Sequence, residues 1–498
     1  MKLTGLLVLI SGCLFWTVAV PHIELVLAQD SIDLLEIDPL DDDAEVHGNV
    51  TVDEDTVFEN VQIHYRGAWY LYSLVKNDYK QRNWKVKFAR ENKYRNRREW
   101  NYNYEPHLRQ KVCYDIFNTA GVAVPSARHV ELFVNGESFG PYLEYEDPDD
   151  KQWLLDKFGD NSGDIYKASY DKPNEQSYFA LLTDIGDSSS SYYMHYDKKT
   201  NEDGDDSLDY RSLVSFIKMI NHTPDSEFPD SIRRCFEVES FLKYLVIVNF
   251  TLNWDSYPTR PKNFWLYDNP SSGKWTFIPW DLDLTFQRKK TGDVILDTNL
   301  SVFYQLDEYE PFDGQENEGT ERPLVRRMMK LGSFRDDYIR EYRRAMNTYL
   351  QIDSLFSDID SASAVVESIL QGDERDKYLK GVNALKAFIH FRTISVTGQL
   401  ADLSVKSDNR HRTTSGKQLF SVGNKNGSVL LRMKEVPAGP FTVSIRDLLG
   451  RQLFIHTENS TRQPSNNTIT AFPRLSPGMY LINGEAGLFT YTEKIIIQ

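Results

Sequence analysis

The pattern of the chain changes near residue 405, and that change limits what its 498 residues can build. Before it, alternating and helical segments are interleaved. After it, short alternating runs follow one another: Ser428–Met433, Phe441–Asp447, Gln452–Thr457, Met479–Asn483 and Thr490–Ile497. Turn residues such as Gly450 and Pro477-Gly478 separate them, which suits a small antiparallel β-sandwich over residues 412–498. Charge changes with pattern. From Arg412 onward ten Lys or Arg stand against five Asp or Glu, so this part carries +5 and the rest −21. The total of −16 argues against general affinity for nucleic acid or anionic membranes, and no nucleic-acid partner is expected.

The N-terminus reads as an export signal. Lys2 precedes an uncharged apolar run from Leu3 to Val20, and Val26-Leu27-Ala28 offers a cleavage point before Gln29. A membrane anchor is the competing reading of the run, and Ile10-Ser11-Gly12-Cys13 is similar to a lipoprotein box. With residues 1–28 removed, no transmembrane span is expected. Residues 29–56, with the acidic stretch Asp38–Glu45, are read as a solvated linker. Cys113 and Cys235 are then the remaining cysteines, enough for one disulfide and too few for a disulfide scaffold.

Residues 57–404 read as one α+β domain of two lobes. In the first, Val61–Tyr65 and Trp84–Phe88 alternate as half-buried strands. Leu108–Ala120 is helical and stops near Gly121. Val130–Val134 and Phe139–Tyr145 flank Asn135-Gly136, a strong hairpin signal. Residues 159–209 are polar and loop-like, and the acidic run Asn201–Asp206 lacks the ligand spacing of a calcium loop. The second lobe is mainly helical, at Tyr210 onward, Val238–Leu252 and Ser333–Leu400, with two strands at Asn263–Tyr267 and Trp275–Pro279.

Candidate chemistry concentrates around Asn253-Trp254-Asp255, Lys262-Asn263 and Pro279-Trp280-Asp281-Leu282-Asp283. Asp281 and Asp283 are spaced to share one face of an extended strand and hold a hard cation such as Mg²⁺ or Mn²⁺, with Asn263 adding a neutral oxygen. Asp255, after an apolar helix, can orient or deprotonate an attacking hydroxyl. The carboxylates sit among Trp275, Phe277, Ile278, Trp280, Leu282 and Phe286, where a carboxylate needs a partner or an ion. In the first lobe Arg66, Lys85 and Lys87 are cations suited to phosphate, with Glu146 as a partner for a lysine, while Arg95–Arg98 reads as a solvated loop. No P-loop, dinucleotide fingerprint, HExxH or Ser/His/Asp signature occurs.

These blocks carry a resemblance. Tyr65-Arg66-Gly67, Trp84–Phe88, Val134–Glu137 with Gly140, Tyr142 and Glu146, Ile165-Tyr166-Lys167, and above all Asn253-Trp254-Asp255 through Lys262-Asn263-Phe264 to Ile278–Phe286 resemble the CotH family of spore-coat-type atypical protein kinases. The resemblance implies a highly diverged, two-lobed, kinase-like fold that binds Mg²⁺–ATP and phosphorylates Ser or Thr of secreted or surface proteins. It implies Asp255 as catalytic aspartate, and Asp281, Asp283 and Asn263 as metal ligands. Arg66, Lys85, Lys87 and Lys167 would bind the nucleotide, with Glu146 as the lysine's ion-pair partner. The chain departs from ordinary kinases in lacking Gly-x-Gly-x-x-Gly, His-Arg-Asp and Asp-Phe-Gly. Within the family's pattern, Lys80-Gln81-Arg82-Asn83 stands where Pro-Lys-Lys is usual.

The tail has its own resemblance. Val443–Arg451, Leu475–Tyr480 and Thr492–Gln498 are similar to the type A sorting domain of type IX secretion substrates. That implies a bacterial protein delivered to the cell surface or medium by the type IX machinery. Two other readings stay open: a non-catalytic surface or adhesion protein on the same fold, and a metal-dependent glycosyl- or phosphate-transfer enzyme using the Asp-x-Asp pair.

Overall fold

The computed structural model describes residues 20–41, 43–105, 107–169, 178–200, 208–287, 290–291, 294–295, 297–307 and 322–408, together with strands between 420 and 497. Seven strands close a barrel in the order β1-β2-β3-β4-β5-β7-β6. They are β1 (His22–Val26), β2 (Val46–Val52), β3 (Thr56–Tyr65), β4 (Trp84–Lys87), β5 (Glu99–Tyr104), β6 (Ala127–Val134) and β7 (Glu137–Glu146). Alternation along each strand sends one set of side chains inward, and Ile23, Leu25, Val50, Ile63, Val86, Trp100 and Leu132 pack there as one core. The β6–β7 hairpin turns on Asn135 (φ 50°) and Gly136 (φ 80°), the left-handed pair that a two-residue turn requires.

Strand β1 closes this barrel, antiparallel to β2 and parallel to β6. The Asn135 amide clamps the chain as it leaves β1, accepting from Leu27 N at 2.8 Å and donating to Leu27 O at 2.9 Å. Two sequence expectations change here. The stretch expected to be a linker holds helix α1 (Gln29–Leu35) and strand β2, so the domain starts well before residue 57. Cleavage before Gln29 would remove β1, whose Ile23 and Leu25 are wholly buried. Leu3–Ala19, the apolar run itself, lies outside the described residues.

Helices α2 (Trp69–Lys76), α3 (Arg109–Thr119) and α4 (Lys151–Phe158) attach to the barrel. Asp150 caps α4, accepting from Gln152 N and Trp153 N, while its other oxygen accepts from Arg98 N at the head of β5. A four-stranded antiparallel sheet follows in the order β11-β10-β8-β9, from β8 (Ile165–Ala168), β9 (Tyr196–Lys198), β10 (Phe264–Asn269) and β11 (Lys274–Pro279). Strands β8 and β9 lie in the polar region read as loop. The acidic run 201–206 lies outside the described residues.

Helices α5 (Arg211–His222), α6 (Phe228–Cys235), α7 (Val238–Phe250), α8 (Pro323–Lys330), α9 (Gly332–Met346), α10 (Ile352–Ile369) and α11 (Gly372–Asp408) make up the rest of this part. Helix α7 is apolar on nearly every side, and so it sits in the middle, touching α3, α9 and β11. Residues 420–497 contribute a three-stranded and a four-stranded sheet. The tail segments 447–451 and 472–477 lie outside the described residues. Cys113 and Cys235 are both free thiols.

Candidate active site

A cleft of about 550 Å³ opens between the barrel and the β8–β11 sheet. Arg66, Lys85 and Lys167 line it together with Asp255, Asn263, Asp281 and Asp283, so seven of the nine sequence-derived site residues meet in one place. Its size is that of a small-molecule site.

The loop after α7 carries Asp255, which is 5% exposed. Its carboxylate is held from three directions: Asn263 Nδ2 at 2.9 Å, Arg260 Nη1 at 3.3 Å and Lys262 Nζ at 3.3 Å. The Asn263 nitrogen also donates to the Asp255 carbonyl at 2.8 Å. The loop is fixed from beneath by buried Arg322, which donates to the carbonyls of Tyr257 and Thr259 at 3.0 Å each. Asn263 (φ 60°) and Asp281 (φ 52°) both take left-handed backbone, a costly choice for non-glycine residues that concentrates at functional sites. A bond from Trp280 N to Asn263 O (3.1 Å) ties the two segments together.

Asp281 and Asp283 follow β11 rather than extend it, because the strand ends at Pro279 and Asp281 turns the chain. Both reach the cleft from a loop, not from one strand face as their spacing predicted. Burial and the neighbouring charge of Asp255 push the Asp281 carboxyl above its usual range, opposed by Lys262, Arg66 and Lys167. Asp283 is pushed much higher by burial, Asp281 and Glu105. Glu105, buried and lining the cleft, leaves Oε2 without a hydrogen-bond partner among the described residues. Oxygen-rich, electron-rich and incompletely paired, this floor fits a hard divalent cation.

On the barrel side, Arg66 donates to Asn103 Oδ1 (2.6 Å) and Tyr145 OH (2.5 Å) and lies over the rings of Tyr145 and Trp280. Lys167, on β8 opposite Trp265 of β10, lies over that indole; burial, with Arg66 and Lys199, pushes its ammonium down to about 8. Lys85 lies 2.8 Å from Glu99 and 2.9 Å from Asp147. Burial disfavours its charge, but Asp147 and Asp149 outweigh that and keep it firmly protonated.

Three expectations are corrected. Glu146 is not the partner of a cleft lysine: it accepts from Arg97 Nε (2.9 Å), Trp153 Nε1 (3.1 Å) and Ser126 N (2.8 Å), all away from the cleft. Arg97 comes from the run read as solvated and is 8% exposed, and Arg95 reaches buried Glu144. Lys87 shares the face of Lys85 but sits further out, 3.4 Å from Glu99, and does not line the cleft. Glu99 and Asp147, the actual partners of Lys85, escape a reading of the sequence. Glu99 lies two register steps from Lys85, opposite Lys87; Asp147 directly follows β7, whose end is legible.

Comparisons with known proteins give the family. Residues 425–498 match a secretion system C-terminal sorting domain, which points to a secreted or surface location. Among curated proteins, the chain is 30% identical over 239 residues to the inner spore coat protein H of Bacillus subtilis, covering 47% of this chain and 61% of that one. It is 26% identical over 183 residues to invasin CotH2 of Rhizopus delemar (36% of this chain, 30% of that one). Invasin CotH3 of the same fungus matches at 23% over 213 residues (39% and 33%). The chain thus spans less than two thirds of each relative's length. Among the described residues no helix is long and apolar enough to cross a membrane. A CotH kinase protein model matches residues 63–396, more than half of the chain and every residue around the cleft, and the chain belongs to that family.

Proposed function

We propose that this protein is an exported, metal-dependent atypical protein kinase that transfers the γ-phosphate of ATP to Ser or Thr of secreted or surface proteins. One observation carries the reading: cations from the barrel (Arg66, Lys85) and from β8 (Lys167) line the same cleft as the carboxylates Asp255, Asp281 and Asp283, and the cleft is of nucleotide size. The barrel and the helical part would then be the two lobes of a highly diverged kinase-like domain.

In this reading Arg66 and Lys167 grip the phosphate chain, with Lys85 above it. Asp281 and Asp283, with the Asn263 side-chain oxygen, would hold Mg²⁺ or Mn²⁺, which supplies neutralisation of phosphate charge when bound. Asp255 accepts the proton of the acceptor hydroxyl as that oxygen bonds to the γ-phosphorus and the bond from phosphorus to the β,γ-bridging oxygen breaks, releasing ADP. Asn263 keeps the Asp255 carboxylate aimed, and Lys262 and Arg260 pair with it from the other side.

The tail, read as a small β-sandwich, would direct the protein through type IX secretion to the outer membrane surface or the medium. An N-terminal signal would first take it across the inner membrane, with cleavage before β1 so that the barrel stays closed. Thermal melts of the full chain with Mn²⁺ test the nucleotide assignment. ATP should stabilise the protein, and Asp281→Asn should abolish the shift. Stabilisation by a sugar nucleotide and not by ATP would replace this reading with a glycosyltransferase. No shift with either would favour a non-catalytic surface protein.

A further inference from the structure

The barrel side of the cleft holds a second group of oxygens that phosphate transfer leaves unused. Glu99, Asp147 and Asp149 each place a carboxylate oxygen within 4.8 Å of the others. Oxygens that close together can share one hard divalent cation. The charges are unequal. Lys85 is the ammonium that bridges Glu99 and Asp147; the more exposed Lys87 lies 3.4 Å from Glu99.

A separate observation points to a ligand here. Asn101, opposite Lys85 in the β4–β5 register, is wholly buried. Its Nδ2 donates to Asp147 Oδ2 at 3.1 Å, which fixes the orientation of the amide, and its Oδ1 has no hydrogen-bond partner among the described residues. Oδ1 of Asp147 and Oδ1 of Asp149 are likewise buried without an N–H or hydroxyl donor, the two carboxyls lying against each other. Buried oxygens are rarely left so, and a carbonyl oxygen beside carboxylates is the donor mixture that calcium takes.

We infer that Glu99, Asp147 and Asp149, with the amide oxygen of Asn101, form a site for a hard divalent cation such as Ca²⁺, distinct from the Asp281 and Asp283 centre. The ion competes with the Lys85 ammonium for Glu99 and Asp147, so its arrival loosens Lys85 toward the cleft. Binding itself requires no nucleotide and stands apart from the transfer reading.

Calorimetric titration of the full chain with Ca²⁺ alone tests it. The Asp281→Asn, Asp283→Asn double variant, which disarms the other centre, should retain one binding event. Adding Asp149→Asn should weaken that event at least tenfold, with an unchanged melting temperature in metal-free buffer showing that the fold persists. Adding Glu99→Gln in place of Asp149→Asn gives an independent loss of the same event. Titration with Tb³⁺ and excitation of tryptophan, which includes Trp100 between Glu99 and Asn101, reads the same site optically. Absence of a binding event in the double variant, or an event untouched by both additional substitutions, would overturn the assignment.

Discussion

Asn263 Nδ2 donates to Asp255 twice, to the carboxylate at 2.9 Å and to the backbone carbonyl at 2.8 Å. One side chain thereby fixes both the loop that carries the acid and the direction the acid points. Asn263→Ala should reduce phosphate transfer about a hundredfold, equivalent to about 2.7 kcal/mol of barrier, with a smaller weakening of the ATP-dependent melting shift from the lost metal oxygen. Steady-state kinetics on Asn263→Ala beside nucleotide-dependent melts would check the split. A large loss of nucleotide binding with kcat intact would show that Asn263 serves the metal alone and does not aim Asp255.

Lys167 gives the nucleotide affinity a pH dependence. Its ammonium is pushed down to about 8 by burial and by Arg66 and Lys199. A bound phosphate chain raises that value again. Affinity is therefore full below pH 8 and falls as pH rises above it, by up to tenfold per unit, until the bound-state value is reached. Kd for ATP measured from about pH 7 to 9.5 should show this fall. Lys167→Gln should bind more weakly at neutral pH and flatten the profile.

Glu146 should behave as a structural residue. Its carboxylate is spent on Arg97, Trp153 and the Ser126 amide. Glu146→Gln leaves Arg97 underpaired and should cost about 2 kcal/mol in chemical denaturation, with the Kd for ATP unchanged. Weaker ATP binding without loss of stability would return Glu146 to the cleft.

Much of the fold and of the cleft is legible in the amino-acid sequence. Asn135-Gly136 announces the β6–β7 hairpin, because only a few residue pairs accept left-handed backbone twice in succession. The apolar α7 and the aspartates after it are equally plain, because a carboxylate embedded among tryptophans has few cheap explanations. Three things are not legible. Strand β1 lies next to a long apolar run, so its His22–Val26 alternation merges with the signal. The partners of Lys85 depend on how β4, β5 and β7 register, and register is set by tertiary packing. Arg97 is a surface-like residue by composition, and only the closed barrel brings it to Glu146.

The sheet beneath the site tolerates no side chain at Gly163. A Cβ there would stand 2.0 Å from Asp268 O and 2.8 Å from Pro270 Cδ. Gly163→Ala must push β8 from β10, the pairing that sets Lys167 opposite Trp265. We expect a loss of about 1–3 kcal/mol, together with a weaker ATP-dependent melting shift. Full stability in the variant would show that the strands separate without strain.

The most direct measurement is phosphate transfer itself. Full-length protein, incubated with γ-labelled ATP and Mn²⁺ or Mg²⁺, should label itself or a generic Ser/Thr acceptor. Asp255→Asn should reduce that label about a thousandfold while preserving ATP-dependent stabilisation, and Asp281→Asn should remove both. Label that persists in both variants would contradict the assignment of Asp255 and Asp281. A folded wild-type protein that neither binds ATP nor transfers phosphate would contradict the kinase reading as a whole.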